Sequence, residues 1–304
     1  MGNRTALFSR KQSGGVFTID DIKEHPGDIF FVDSGHSAAS DTAGFGKDPD
    51  SPFATIDYAV SQCTASQGDV IYAMPGHAET LAAAGDLDLD KIGLSLIGLG
   101  HGTLQPTVTA GTIDSVDIDI DAASVTIENI HFVSAIDDIV ALIDVNATDF
   151  TIRNCRFTQS AADKNPLICI QDAAAAGSDR MIIEGCKADL YDTAGTHFVN
   201  FAGTGTGHIV RDNILLGDWG TMAIGGAGVV TRATIIDNVI YNVASDNDSC
   251  ISFAATATGI CMRNLAGGGA AQANGITATA MALAQNFYVD AAADVNAILE
   301  PVAT

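Results

Sequence analysis

A chain of 304 residues with 37 Asp plus Glu against 14 Lys plus Arg carries a formal charge of −23, too acidic to follow a nucleic-acid backbone or to rest on an anionic membrane. Its 47 % hydrophobic content is enough for one sizeable core, but much of that is alanine, 31 residues are glycine and 6 % are aromatic, so the interior is expected to be built of small repeated pieces. No apolar run approaches the length of a membrane span and the first residues lack the apolar stretch of a secretory leader, so synthesis in a cytoplasm without secretion is expected.

Residues 1–28 contain Arg4, Arg10 and Lys11 with no acidic residue before Asp20, and read as a basic arm. Such an arm on an acidic protein suits tethering to an acidic surface; a frayed terminus has the same composition. Ala6 stands where an N-myristoylation signal requires Ser or Thr. Phe30-Phe31-Val32 predicts a first strand, 33–52 a loop rich in Gly, Asp and Ser, and the stretch near 53–63 a short capping helix. Gly68-Asp69-Val70-Ile71-Tyr72-Ala73 then reads as a strand running into a Pro75-Gly76 turn.

Beyond that turn the chain repeats. Asp86-Leu87-Asp88-Leu89-Asp90 recurs as Asp117-Ile118-Asp119-Ile120-Asp121, offset by 31 residues, and Leu94-Ser95-Leu96-Ile97-Gly98 recurs at the same offset as Val125-Thr126-Ile127-Glu128-Asn129. Alternation with period two and a wealth of Ile, Val and Thr make these strands rather than helices. One coil therefore reads as two strands with a turn between them. The second strand recurs in six segments ending at Asn129, Asn154, Gly185, Asp212, Asn238 and Asn264, a period of 25 to 31 residues that marks a solenoid. Those end residues tolerate the left-handed backbone of a sharp corner, and repeated Asn would stack its amides into a hydrogen-bonded ladder.

The residues before the corners are Glu128, Arg153, Glu184, Arg211, Asp237 and Arg263, which alternate in sign and predict an exposed cross-strand charge ladder rather than a catalytic cluster. The doubled Asp tracts would bring Asp86, Asp88, Asp90, Asp117, Asp119 and Asp121 onto adjacent coils. Such crowding calls for a cation, with calcium the natural candidate, or a basic partner; a solvated acidic face is the simpler reading, and the sequence does not decide between them. Residues 286–304 leave the coil pattern and are expected to cover the last coil or to reach a partner subunit, giving three parts: arm 1–28, solenoid 29–285 and C-terminal segment 286–304.

Cys63, Cys155, Cys169, Cys186, Cys250 and Cys261 lack metal-type spacing and read as buried thiols, with Cys155 and Cys186 neighbours in one stack after matched corners. A disulfide between those two is compatible with the register but not required by it. His25, His36, His77, His101, His131, His197 and His208 show no metal-binding spacing and read as loop or corner residues. No catalytic, cofactor or metal residue is assigned. The acidic pairs Asp137-Asp138 and Asp246 with Asp248 lie in turns without an aromatic platform, and Tyr191, Trp219 and Tyr241 are the only sugar-stacking candidates along the main coils.

The run Ser51-Pro52-Phe53-Ala54-Thr55-Ile56, followed by Gly68-Asp69-Val70-Ile71 and Pro75-Gly76, resembles the opening of pectate-lyase-like right-handed parallel β-helix proteins, over roughly residues 30–285. The resemblance implies an all-β solenoid of about seven or more coils whose open end is closed by the helix. It does not fix function, since the superfamily holds polysaccharide lyases, glycosidases, phage tailspikes and virion structural proteins. Among these, the chain most resembles virion β-helix proteins of tailed bacteriophages. That likeness implies a non-enzymatic homotrimeric capsid decoration or cement protein on the capsid exterior, bound to the major capsid protein or another virion protein through residues 1–28. The alternative is a tailspike or fibre that binds or cleaves surface polysaccharide.

Overall fold

The computed structural model describes residues 27–172, 178–191, 195–243, 249–268 and 275–290, and the backbone of 296–299. Most of the expected arm, the pair Asp246 and Asp248, and residues 291–295 and 300–304 lie outside the described residues.

The repeats fold into a parallel β-helix. Each coil contributes three short strands, one to each of three sheets, where the sequence pattern alone implied two. Sheet A has ten strands, among them Ser95–Gly98, Thr126–Glu128 and Thr151–Arg153. After the corner the chain enters sheet B, also of ten strands, which includes His131–Ser134, Arg156–Gln159 and Lys187–Leu190. It then crosses to sheet C, whose eight strands include Leu87–Asp88, Ile118–Ile120 and Ile143–Val145, before returning to sheet A. Sheet B is the unforeseen one: its outward residues change from basic to aliphatic along the stack, so no single residue type repeats through it.

Alternate residues of every strand point inward and stack rung on rung. Leu96, Ile127, Ile152, Ile183 and Val210 form one buried column in sheet A, and Leu87, Ile118, Ile143, Ile170 and Val199 form one in sheet C. In sheet B the column is more varied. Phe132 stacks on Phe157 at 5.2 Å between ring centroids, and Phe198 from sheet C meets Phe157 edge-on at 5.2 Å.

The corners explain the repeated Asn, Gly and Asp. Asn129, Asn154, Gly185 and Asp212 have φ of 56°, 55°, 64° and 57°, the left-handed region where those residues cost least. In the next two coils the left-handed residues are Asp237 and Arg263, each one place before the Asn that the repeat alignment had put there. The cause is a one-residue slip: Arg211 pairs with Ile236, not with Asp237.

The slip moves Asn238 and Asn264 inside. With Asn213 and Asn286 they form a buried ladder in which Asn213 Nδ2 donates to Asn238 Oδ1 at 2.9 Å, Asn238 Nδ2 to Asn264 Oδ1 at 2.9 Å, and Asn264 Nδ2 to Asn286 Oδ1 at 3.0 Å. Each also donates to a carbonyl of the coil before, Ile183, Val210, Ile235 or Cys261. On the two preceding rungs the same place is held by Cys155 and Cys186, whose thiols neighbour each other; all six cysteines are free and buried.

The N-terminal end is closed by helix α1 (Ile56–Gln62). Thr55 caps it, its hydroxyl accepting from Tyr58 N at 3.3 Å, and Asp41 accepts from the Ala54 and Thr55 N–H groups. Phe53 is wedged between Phe30 and Tyr58, at 5.9 and 5.0 Å, while Ile56, Ala59 and Val60 cover the first coil. Buried Asp69 accepts from Asp28 N and Thr64 N, both at 2.7 Å, fixing the chain on both sides of the helix. The Pro-Phe-x-Thr-Ile and Gly-Asp signals are thus the parts of a lid. At the other end Asn286–Asp290 extends sheet B, and Asn296–Leu299 pairs back on it antiparallel.

Candidate functional site

Sheet A presents its charged residues outward, as the alternation required. They join in pairs: Arg153 with Glu128 at 2.8 Å, Arg211 with Glu184 at 2.9 Å, and Arg263 with Asp237 at 2.6 Å. The slip after Arg211 prevents a continuous ladder, because Asp237 occupies a corner while Ile236 takes the outward place beside Arg211. A groove of about 750 Å³ runs over this face, lined by Tyr72, Ile97, His101, Glu128, Asn129 and Arg153 among others. Its single carboxylate, Glu128, is the one bound by Arg153.

A second groove of about 510 Å³ lies past the corner on sheet B, with Arg156, Lys187, Asp189, Ile214 and Leu216 in its wall and the amides of Asn129 and Asn154 at its rim. Here too there is one carboxylate, Asp189, which hydrogen-bonds with Tyr191.

Sheet C carries the acidic tracts. Asp88 pairs in register with Asp119, as the 31-residue offset required, and Asp144 adds a third rung that the sequence reading did not include. Asp144 belongs to an Ile-Asp-Val strand with only one carboxylate, so no tract marks it. Gln171 and Asn200 continue the row. The six tract residues do not converge. Asp86 accepts from the Ala82 and Ala83 N–H groups, Asp117 from Gly85 N, Asp121 from Asn146 Nδ2, and Asp90 pairs with Lys91. Among the described residues no group of three His, Cys, Asp or Glu is arranged to hold a metal ion.

Partial burial, and then the charges of Asp117, Asp121, Asp144 and Asp88, raise the Asp119 carboxyl to about 6; Asp88 and Asp144 also move upward, chiefly through burial. A carboxyl raised in this way binds its proton more tightly folded than unfolded. Its ionisation therefore costs nothing below the unfolded value near 4 and costs fully above about 6. Asp119→Asn is expected to match the parent at pH 4 and to gain on the order of 1 kcal/mol by pH 7, screening at this part-exposed site included, in melting curves across that range. A difference that is flat in pH would show that the row bears no electrostatic load.

His36, His77, His101 and His208 lie in loops or at corners as expected, His131 and His197 do not, and His25 lies outside the described residues. His77 and His208 are buried, the first accepting from Ser34 N at 3.0 Å and the second from Met181 N at 3.3 Å through Nδ1. His131 and His197 lie on strands, and burial lowers both to about 4. His131 and His197 are therefore neutral at pH 7. Trp219 is 1 % exposed, held through its backbone by the Asn242 amide, and offers no face to a sugar; Tyr191 and Tyr241 remain exposed.

No family model matches this chain, and no curated protein matches it. Among solved structures it is similar to a rhamnogalacturonan lyase, at 11 % identity and a TM-score of 0.43, over 83 % of this chain and 87 % of that one. It is also similar to a GH136 lacto-N-biosidase from Eubacterium ramulus, at 10 % identity and a TM-score of 0.27, over 90 % of this chain and 68 % of the other. Neither likeness bears on activity, and the parallel β-helix of this chain is read from its own strand pairing.

Proposed function

We propose that this chain is a non-enzymatic bacteriophage virion structural protein, a homotrimeric capsid decoration protein attached to the shell through its N-terminal arm. The observation that supports the non-enzymatic part is that the grooves over sheets A and B are each lined by one carboxylate, Glu128 or Asp189, with Glu128 already bound by Arg153, while Asp114, Asp117 and Asp144 line only a smaller hollow of about 170 Å³ on sheet C. Glycoside hydrolysis in the usual form takes two carboxylates about 5 to 10 Å apart across the scissile bond. The placement on a virion follows from the sequence resemblance, and the closed, regular coils suit a rigid body carried on a shell.

The test is to mix the full-length protein with capsid particles that lack it, and to follow co-sedimentation and electron microscopy. Regular binding over the shell is the expected result. Deletion of residues 2–26 should abolish that binding while leaving the β-rich body folded, because it stops short of Asp28, whose N–H is held by Asp69. A second reading, a fibre that binds polysaccharide, is favoured by the 750 Å³ groove with the exposed Asn154 amide and Tyr72 in its lining. Failure to bind capsids, together with saturable glycan binding or release of oligosaccharide, would replace the decoration reading.

A further inference from the structure

The outer face of sheet B changes character along the stack. Its first outward position reads His131, Arg156 and Lys187 on successive rungs, then Ile214, Val239 and Leu265. Ile214, Val239 and Leu265 are 41 %, 39 % and 46 % exposed, and Tyr241 beside them is 46 % exposed. Three stacked aliphatic side chains with an adjoining tyrosine form one continuous apolar strip, the kind of surface that marks an interaction site.

The basic end of the same face is equally unusual in this chain. Arg156 and Lys187 lie directly opposite each other in register, both exposed, and among the described residues neither forms an ion pair. Like charges in that position repel. In a molecule of net charge −23 they call for an anionic partner.

Sheet C, which follows sheet B in every coil, carries the complement in the same order. Its outward row begins with Asp88, Asp119 and Asp144 and ends with Gly225, Ser252 and Thr277. Gln171 and Asn200 stand level with Arg156 and Lys187, Asp144 lies one rung of about 4.8 Å from the first and two from the second with Asp119 and Asp88 beyond it, and small side chains lie level with the bulky apolar strip.

We propose that the outer face of sheet B is a self-association surface that receives sheet C of a second copy of this chain. With the coils level, Ile214, Val239 and Leu265 close on its small residues, and the long side chains of Arg156 and Lys187 lean one and two rungs along the row toward the partner's acidic end, where Asp144 comes first. One face meeting a different face of the next copy is a heterologous contact, which closes into a ring when the rotation permits. This rests on the homo-oligomeric part of the reading above.

Sedimentation equilibrium of the full-length protein tests it. The parent is expected at a multiple of 31.3 kDa. Val239→Glu with Leu265→Glu, and separately Arg156→Glu with Lys187→Glu, should weaken association at least about 100-fold, as removal of central contacts does, with circular dichroism and melting of the subunit unchanged because all four side chains face outward. Adding Asp119→Lys and Asp144→Lys to the Arg156→Glu, Lys187→Glu chain should restore the oligomer. Variants that keep the parental mass would overturn the surface and leave the oligomer standing. A parent that stays at 31.3 kDa at every concentration would overturn both, while attachment to capsids is decided by its own measurement.

Discussion

Asn238→Ala is expected to cost about 3 to 5 kcal/mol, more than any surface change in the molecule. The side chain is fully buried and makes four hydrogen bonds. Its Nδ2 donates to Val210 O at 3.0 Å and to Asn264 Oδ1 at 2.9 Å, and its Oδ1 accepts from Asn213 N at 3.2 Å and Asn213 Nδ2 at 2.9 Å. Alanine leaves the Val210 carbonyl and the Asn213 N–H without these partners where water cannot replace them, at about 1 to 3 kcal/mol each, and adds a small cavity. Asn154→Ala is the matched control. Asn154 is exposed at a corner and its amide donates one long bond, 3.4 Å, to Glu128 Oε1, so its loss should cost little beyond the strain of a left-handed alanine, about 1 to 2 kcal/mol. Thermal and denaturant melts of the two variants give the comparison, and equal losses would mean that the buried ladder contributes no more than a corner does.

Phe157→Ala is the second large effect, expected at about 3 to 5 kcal/mol. Phe157 is 1 % exposed and lies between Phe132, stacked on it, and Phe198, edge-on, so truncation opens a cavity that rigid strands above and below cannot close. Phe157→Leu should recover more than half of the loss. Because the ring points inward, the mass of the oligomer should not change even as the melting temperature falls. A shift in subunit association would show instead that this rung communicates with the outer face of sheet B.

Much of this architecture could be read from the residues, and the exceptions have physical causes. The 31-residue offset placed Asp88 beside Asp119, and the Thr126, Thr151, Ile182 and Ile209 segments aligned correctly, because each couples an inward aliphatic to an obligatory corner. Alignment failed at Asp237-Asn238. Both residue types accept a left-handed backbone, so the pair does not say which one turns the corner; it is burial that sends Asn238 inward, where its amide has partners on both neighbouring rungs.

The sites were less legible. Trp219 is a sugar platform in composition and a core residue in the fold, because a lone aromatic has no periodic companion to reveal its side. His131 and His197, read as loop or corner residues, lie on strands for the same reason. The grooves depend on which of Glu128, Arg156 and Lys187 share a face across the corner, and that required knowing that a third strand follows each corner.

The asparagine ladder has a polarity. Asn213, Asn238 and Asn264 each donate toward the C-terminal coil and also back to a carbonyl of the coil before, so each fastens three successive turns like overlapping staples, and Asn286 ends the row with its bond back to Cys261 O. Most stacked-coil proteins can fray one turn at a time from an end, since each repeat touches only its neighbours. In this one, lifting the last strand strands the Asn264 amide, and lifting that coil strands Asn238 in turn. Backbone amides of the strands described between Ile182 and Asp290 should therefore exchange with solvent together, in a single opening event, so that this part of the stack behaves as a zipper without a pull tab.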